Sequence, residues 1–356
     1  MPKAPVNPSC PATALVRPAV QAMAGYVPGE QSPRAIKFNT NESPWPPAPG
    51  VFQVLASIDP NALRRYPDPT ASALRRAAAR VYRVAADRIL VGNGSDDCLT
   101  IIYRSLLRPG DRVVVPHPTY GLYQTLAALQ EAQLVTVPFA ADWGLPDLTA
   151  ARPRLILIAN PNNPSGTLIP RAQLAALARA TEAVVVVDEA YVDFAGAGAS
   201  LLPELESLPN LIVLRTFSKS YGLAGARLGL LFAHPDLISL FNKVKDSYNV
   251  NALSQAMGIA ALRDRAYFRR TVADTLAGRR QLEEGVKALG WTWPPSAANF
   301  LLCRVGTRAG EIMRAVAQRG LLVRWWDTPQ LRHDLRINTG TPQENCRLLA
   351  ALRALA

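Results

Sequence analysis

The sequence predicts an α/β protein: an open, mostly parallel sheet flanked by helices, followed by a smaller α+β unit. Three observations carry this. Between about residues 70 and 235, helical segments alternate with short apolar ones. Several of the apolar segments, AVVVV and LILIA among them, run without polar alternation, as strands do when helices cover both faces. After about residue 258 the pattern changes to a long helical stretch, short strands and a final helix. At 356 residues and 49% hydrophobic, the chain can bury two cores without disulfides or a structural metal.

The elements follow in order. Eleven of the thirty prolines fall in the first fifty residues. Proline fixes φ and removes an amide donor, so an extended arm is expected over residues 1–35. ASALRRAAARVYRV reads as a helix, RILVG as a short strand, and GSDDCLTIIYRSLL as a helix opened by Ser95 with two acids in its first turn. Strand DRVVVPHP, helix TYGLYQTLAALQE and strand QLVTVPF come next. RLILIANP, EAVVVVDEAYVDF and NLIVLRTFS complete the strands, with helix RAQLAALARAT between the first two. AMGIAALRDRAYFRRTVADTLAGRRQLEEGVKAL reads as one helix, followed by strands NFLLCRV, LLVRWW and DLRINT and a last helix. The expected division is an arm over 1–35, a large domain over 36–258 and a small domain over 259–356.

Charge and composition exclude more than they identify. The net charge of +12 comes from scattered, mostly arginine residues. The densest group, Arg75, Arg76, Arg80 and Arg83, has helical spacing and no interleaved aromatics, so it reads as a solvated helix face. Neither nucleic acid nor membrane is expected as a partner. Cys10, Cys98, Cys303 and Cys346 lie far apart, and His117, His234 and His333 are dispersed, so neither a disulfide framework nor a metal site is expected. The proline-broken start lacks the apolar run of a signal peptide, and the expected compartment is the cytoplasm.

In open α/β sheets, ligands bind outside the carboxyl ends of the strands. Those ends here carry GNGSD at 92–96, HPTY at 117–120, NPNNPSG at 160–166, DEAY at 188–191 and TFSKSYGLAGAR at 216–227. Gly94, Ser95 and Asp96 open a helix, whose free amides and positive dipole end suit a phosphate. G-N-G-S-D-D lacks the third glycine of a dinucleotide fingerprint. Asp188 ends a buried strand and needs a cation, a metal or several hydrogen-bond donors. Lys219 lies 31 residues later, placed to form a Schiff base if desolvation or neighbouring cations lower its pKa. Arg227, Thr216 and Ser218 add phosphate donors. Taken singly, each has a structural alternative: an ordinary capped turn, a surface lysine, a capping aspartate. Together they are the protein-side requirements of pyridoxal 5'-phosphate.

The sequence resembles the fold-type-I, pyridoxal-phosphate-dependent aminotransferases, and within them the histidinol-phosphate aminotransferase family. The resemblance runs from about Tyr26 to the C-terminus. It is carried by Y-V-P-G-E, F-N-T-N-E-S-P, R-Y-P-D-P, G-N-G-S-D-D, P-T-Y-G-L-Y, P-N-N-P-S-G, D-E-A-Y, T-F-S-K-S-Y-G-L-A-G-A-R-L-G and L-R-I-N-T-G-T-P in the family's order. It implies that Lys219 forms the Schiff base and moves the proton, and that Asp188 pairs with the pyridine nitrogen. Asn163 and Tyr191 would bond the ring's phenolic oxygen, and Tyr120 would stack on its face. Ser95 and Asp96 amides, Ser218 and Arg227 would hold the phosphate. Tyr66 would reach the phosphate of a neighbouring subunit, which implies a homodimer. Arg336 would bind the anionic end of the substrate and Arg324 would be a second anion contact suited to a phosphorylated one. Tyr26 and Asn41 would line the substrate pocket.

The implied reaction is a reversible ping-pong exchange between histidinol phosphate with imidazole-acetol phosphate and glutamate with 2-oxoglutarate. Two arginines suit a pocket that accepts both phosphate and carboxylate. Trp325 and Trp326 depart from the family, in which a smaller aromatic pair is commoner; they read as packing first and as a reshaped distal pocket second. Ser165 replaces the commoner threonine. The alternatives are an aromatic amino-acid aminotransferase and a threonine-phosphate decarboxylase of the same fold. A DNA-binding regulator is the reading from another class, but the roughly 25 residues ahead of the fold are too few for a helix-turn-helix domain.

Overall fold

The computed structural model describes residues 10–23, 25 and 29–355. Eleven strands are present among them: β1 (Ile36–Phe38), β2 (Ile89–Gly92), β3 (Arg112–His117), β4 (Gln133–Pro138), β5 (Leu155–Ala159), β6 (Val184–Asp188), β7 (Leu211–Thr216), β8 (Gly229–Phe232), β9 (Phe300–Arg304), β10 (Leu321–Val323) and β11 (Asp334–Asn338). Strands β2 to β8 form one sheet in the order β2-β8-β7-β6-β5-β3-β4. β3, β4, β5, β6 and β7 pair in parallel, and β8 runs antiparallel to both β2 and β7.

The continuous apolar runs divide by parity. Ile156, Ile158, Val185, Val187 and Val213 enter one core cluster, while Leu155, Leu157, Val186, Ile212 and Leu214 enter the other. Successive side chains of a strand point to opposite faces, so a strand covered on both sides must be apolar at every position. Each such Val, Ile or Leu contributes roughly 1.5–3 kcal/mol by leaving water.

The second unit is built on the antiparallel pair β9–β11 and on a parallel pair between β1 and β10. A bridge between Arg324 and Arg336 joins the end of β10 to β11. Phe38, Leu282, Val286, Leu301, Ile312, Leu335, Ile337 and Leu348 share its core. The last helix, Pro342–Arg353, opens with a reciprocal cap between Thr341 and Glu344, which satisfies amides the helix itself leaves unbonded. A large domain beginning at residue 36 does not account for β1, which pairs with the second unit.

Three other features differ from the sequence expectation. The proline-rich arm is not wholly extended: Pro11–Leu15 and Pro18–Ala22 are short helical segments with no buried residue. Proline at the first helical position forfeits nothing, because that amide has no intrahelical acceptor and its φ is already helical. The long helical stretch divides at Asp264 into Ala252–Arg263 and Arg265–Lys287. The Asp264 carboxylate accepts from the Tyr267 amide at 2.9 Å, and an N-cap of this kind stabilises the break. Strand β8 was absent from the sequence reading because four residues beside a glycine-rich segment carry no distinct signal. No helix among the described residues is long and apolar enough to cross a membrane.

Candidate active site

The carboxyl ends of the parallel strands open on a cavity of about 400 Å³. Lys219, Asp188, Tyr191, Asn163, Ser95, Asp96, Tyr120, Thr216, Ser218, Arg227, Asn41 and Arg336 all line it. Twelve of the residues singled out in the sequence therefore meet in one place.

Asp188 is the last residue of β6 and is 6% exposed. Its carboxylate accepts from the Tyr123 hydroxyl at 3.0 Å and from the Ala190 amide at 3.1 Å. Burial pushes its pKa up to about 6, against the pull of those two donors. Lys219 follows β7, and its Nζ donates to the Thr40 carbonyl at 3.0 Å. Burial and then the nearby Arg336 pull its pKa down to about 8, partly offset by Glu42 and Asp96. Desolvation thus moves both groups toward titration near neutral pH, with the amine still mostly charged and the carboxyl mostly ionised at pH 7.

Tyr191 lies 6% exposed, with its hydroxyl accepting from Asn41 Nδ2 at 3.0 Å. Asn41 has φ 54, a left-handed conformation that Asn tolerates better than most residues, and its amide donates to Asn338 Oδ1 at 3.1 Å. Arg336 donates from Nη1 to Asn163 Oδ1 at 2.6 Å and from Nη2 to the Asn39 carbonyl at 2.6 Å.

The anion end of the cavity is the start of the helix Ser95–Leu106. Amides in a first helical turn have no intrahelical acceptor. The Asp96 side chain does not compete for them: it accepts from the Tyr120 hydroxyl at 3.2 Å and from Arg227 Nη2 at 3.2 Å. Thr216 donates to Ser218 Oγ at 3.0 Å on the facing loop. Two glycines shape the turn. Gly94 has φ 90, and a Cβ there would lie 2.6 Å from Arg227 Nη2. A Cβ on Gly229 would lie 2.4 Å from the Ser95 nitrogen, so β8 can approach this turn only through glycine. Gly94 thus shapes the cavity without lining it.

These features fit pyridoxal phosphate. A helix start with arginine and two hydroxyls could hold its phosphate, the buried carboxylate of Asp188 could pair with its ring nitrogen, and a desolvated lysine offers a nucleophilic amine.

Beneath the strand ends lies a buried ionic cluster. Glu189, Arg215 and Ser220 are the immediate neighbours of Asp188, Thr216 and Lys219, turned to the other side. Arg215 Nε lies 2.9 Å from Glu189 Oε2, and Nη1 donates to Asp193 Oδ1 at 2.7 Å. Ser220 donates to Asp193 Oδ2. Burial raises the Glu189 pKa against the pull of Arg215; Arg215 itself is desolvated, yet the two carboxylates raise its pKa.

Other expected residues lie elsewhere. Arg324 is not in the cavity lining but exchanges both backbone hydrogen bonds with Arg336, at 3.0 and 2.9 Å. Tyr66 is 80% exposed and stacks on Tyr248 with ring centroids 4.4 Å apart, away from its own chain's cavity. Tyr26 lies outside the described residues. The sequence reading missed Tyr123, Thr40 and Glu42. Tyr123 stands three positions after Tyr120, which precedes the helix Leu122–Leu129, and the two rings meet edge to face with centroids 5.6 Å apart. Thr40 and Glu42 flank Asn41 and had no signal of their own, since Thr40 acts through its carbonyl.

The fold and this site define a pyridoxal-phosphate transferase. The model of the aminotransferase class I and II family matches residues 33–352. The chain is 42% identical to histidinol-phosphate aminotransferase 1 of Trichormus variabilis, over 96% of this chain and 99% of that protein. It is 43% identical to the histidinol-phosphate aminotransferase of Chromohalobacter salexigens, over 95% and 98%. The crystal structure of histidinol-phosphate aminotransferase from Sinorhizobium meliloti in complex with pyridoxal 5'-phosphate superposes with a TM-score of 0.85 at 31% identity, covering 95% of this chain and 98% of that one. The chain belongs to the class I and II aminotransferases, and within them to the histidinol-phosphate aminotransferase family.

Proposed function

We propose that the protein transfers an amino group between histidinol phosphate and 2-oxoglutarate, reversibly, with pyridoxal phosphate as cofactor. The relatives' activity supports the substrate. The observation that carries the reading in this chain is the cross-strand pair Arg324–Arg336 beside the cavity of Lys219 and Asp188. Like charges directly opposite each other on a sheet repel, and a bound dianion turns that repulsion into attraction.

When bound, the cofactor supplies an electron sink for the α-carbon of the amino substrate. The chain's residues do the rest. Lys219 Nζ, neutral at modestly alkaline pH, takes and returns the α-proton. Asp188 holds positive charge on the ring nitrogen, and Tyr123 orients that carboxylate. The Tyr191 hydroxyl, accepting from Asn41, directs its own proton into the cavity, and Asn163 is oriented by Arg336. Ser95 and Asp96 amides, Thr216, Ser218 and Arg227 hold the phosphate. Arg336 orients the substrate's anionic group, with Asn41 on the pocket wall.

The reading extends to a cytoplasmic homodimer in which Tyr66 reaches the phosphate site of the second copy. Its exposure and its absence from the lining of its own cavity support this.

The test is the visible absorption of the cofactor-loaded protein, titrated with histidinol phosphate and, separately, with phenylalanine. Loss of the yellow band at much lower concentrations of histidinol phosphate supports the proposal. Preferential response to phenylalanine moves the assignment to an aromatic aminotransferase, and no response to either overturns both. For the dimer, mixing Lys219→Ala with Tyr66→Phe protein should restore part of the activity, since one of the two mixed sites is then intact.

A further inference from the structure

Residues 39–42 pass along the cavity as one continuous segment, and the first three each bind a group of the site. The Asn39 carbonyl accepts from Arg336 Nη2 at 2.6 Å, the Thr40 carbonyl accepts from Lys219 Nζ at 3.0 Å, and Asn41 Nδ2 donates to the Tyr191 hydroxyl at 3.0 Å. Glu42, the fourth, also lines the cavity. Its Oε1 accepts from Lys37 Nζ at 2.6 Å, and Gln31 Oε1 accepts from the same ammonium at 2.9 Å. Among the described residues Lys37 is the one partner of this carboxylate, which leaves Oε2 open on a side chain that is 39% exposed.

Two other carboxylates line the cavity, and both are engaged elsewhere. Asp96 accepts from Tyr120 and Arg227, and Asp188 accepts from Tyr123 and the Ala190 amide. Glu42 stands apart from the groups suited to the cofactor. Its charge nevertheless reaches the reacting amine, since it partly offsets the fall that burial imposes on the Lys219 pKa. An ionised carboxylate only accepts, so what its open oxygen can take from a substrate is an N–H or O–H, best a cationic one. Histidinol phosphate carries an amine, a phosphate and an imidazole. The first is consumed in the reaction and the second falls to arginine; the ring N–H is left.

We propose that Glu42 is a specificity-determining residue whose Oε2 accepts the imidazole N–H of the amino donor and so selects an imidazole over a phenyl side chain. Lys37 anchors the carboxylate through Oε1 and leaves the second oxygen for the ring. A site built to bond a substrate N–H rejects an analogue that lacks it, because the protein's own polar group is then left unpaired. The inference rests on the substrate reading above.

The test uses the cofactor-loaded holoenzyme with Glu42→Ala, Glu42→Gln and Lys37→Met. The donors are histidinol phosphate and phenylalaninol phosphate, which has the same amine and phosphate with phenyl in place of imidazole. The quantity read is the ratio of their kcat/KM values, in which any change common to both esters cancels. Glu42→Ala should lower the ratio at least about tenfold, chiefly through KM for histidinol phosphate. Glu42→Gln should lower it less, by about threefold or more, because an amide oxygen still accepts but without charge. Lys37→Met should leave it within about threefold, since Oε2 does not depend on that contact. A ratio unchanged in Glu42→Ala overturns the proposal, and so does an equal fall in Lys37→Met, which would make the ion pair a support for the segment alone. If Glu42→Ala does not fold, an unchanged ratio in Glu42→Gln overturns it instead. An unmodified enzyme that does not prefer histidinol phosphate to its phenyl analogue sinks the substrate reading; a preference that survives in the Glu42 variants sinks the role of Glu42 alone.

Discussion

The Asn41 side-chain amide donates to the Tyr191 hydroxyl at 3.0 Å, joining residues 150 positions apart. A phenol that accepts one hydrogen bond has its own proton left to give, and here the cavity is where it can go. Asn41→Asp keeps a residue that tolerates φ 54 but replaces the donor by an acceptor, which draws the Tyr191 proton back. The expected result is a fall in kcat/KM of about ten- to a hundredfold with the fold intact, read by half-reaction kinetics and circular dichroism.

Lys219 makes the cofactor-free protein less stable at neutral pH. Its pKa of about 8 lies below the ordinary 10.5, so the charged amine opposes folding. The stability is fully present above pH 10.5 and is lost as pH falls through 8. Lys219→Met should therefore abolish turnover and stabilise the cofactor-free protein at pH 7 by roughly 2–3 kcal/mol. Thermal melts at pH 7 and pH 10 should show the gain shrinking at the higher pH.

Asp188 has the opposite sign. Its pKa is raised from 3.8 to about 6, so its contribution is fully present below pH 3.8 and lost as pH rises through 6. Asp188→Asn should stabilise the cofactor-free protein at pH 7 but not at pH 3.5, and lower kcat by at least about a hundredfold. Melts at the two pH values, beside turnover at pH 8, separate these effects. A bound ring cation would reverse the stability effect by pairing with the native carboxylate.

Arg215 neutralises a fully buried Glu189 and a partly exposed Asp193. Arg215→Met leaves both carboxylates unpaired and should cost about 3–5 kcal/mol, measured by urea denaturation.

Most of the large sheet and its site was legible in sequence because each chemical residue ends a strand. Asp188 after four valines, Lys219 after NLIVLRT and Ser95 after RILVG all stand where an open sheet presents its ligands. Contacts that depend on the chain returning from far away were not legible. Nothing near Asn41 tells of Asn338, nor anything near Ile36 of Leu321. Backbone groups such as the Thr40 carbonyl leave no trace in residue type. The twin tryptophans were visible as a departure, but only coordinates separate Trp325, which packs in the second core, from Trp326, whose ring meets Arg324 and Arg336.

The pairing of β1 with β10 also bears on how the enzyme is made. Asn41 and the asparagine that holds its amide are 297 positions apart. At about 5–20 residues per second, the first substrate-facing segment waits roughly 15–60 s on the ribosome before its partner strand exists. The large sheet has all its strands by residue 232 and can form meanwhile. Nascent chains halted at residue 300 should therefore carry a protease-resistant sheet and a readily cleaved N-terminal segment, and the pocket closes only when translation is nearly finished.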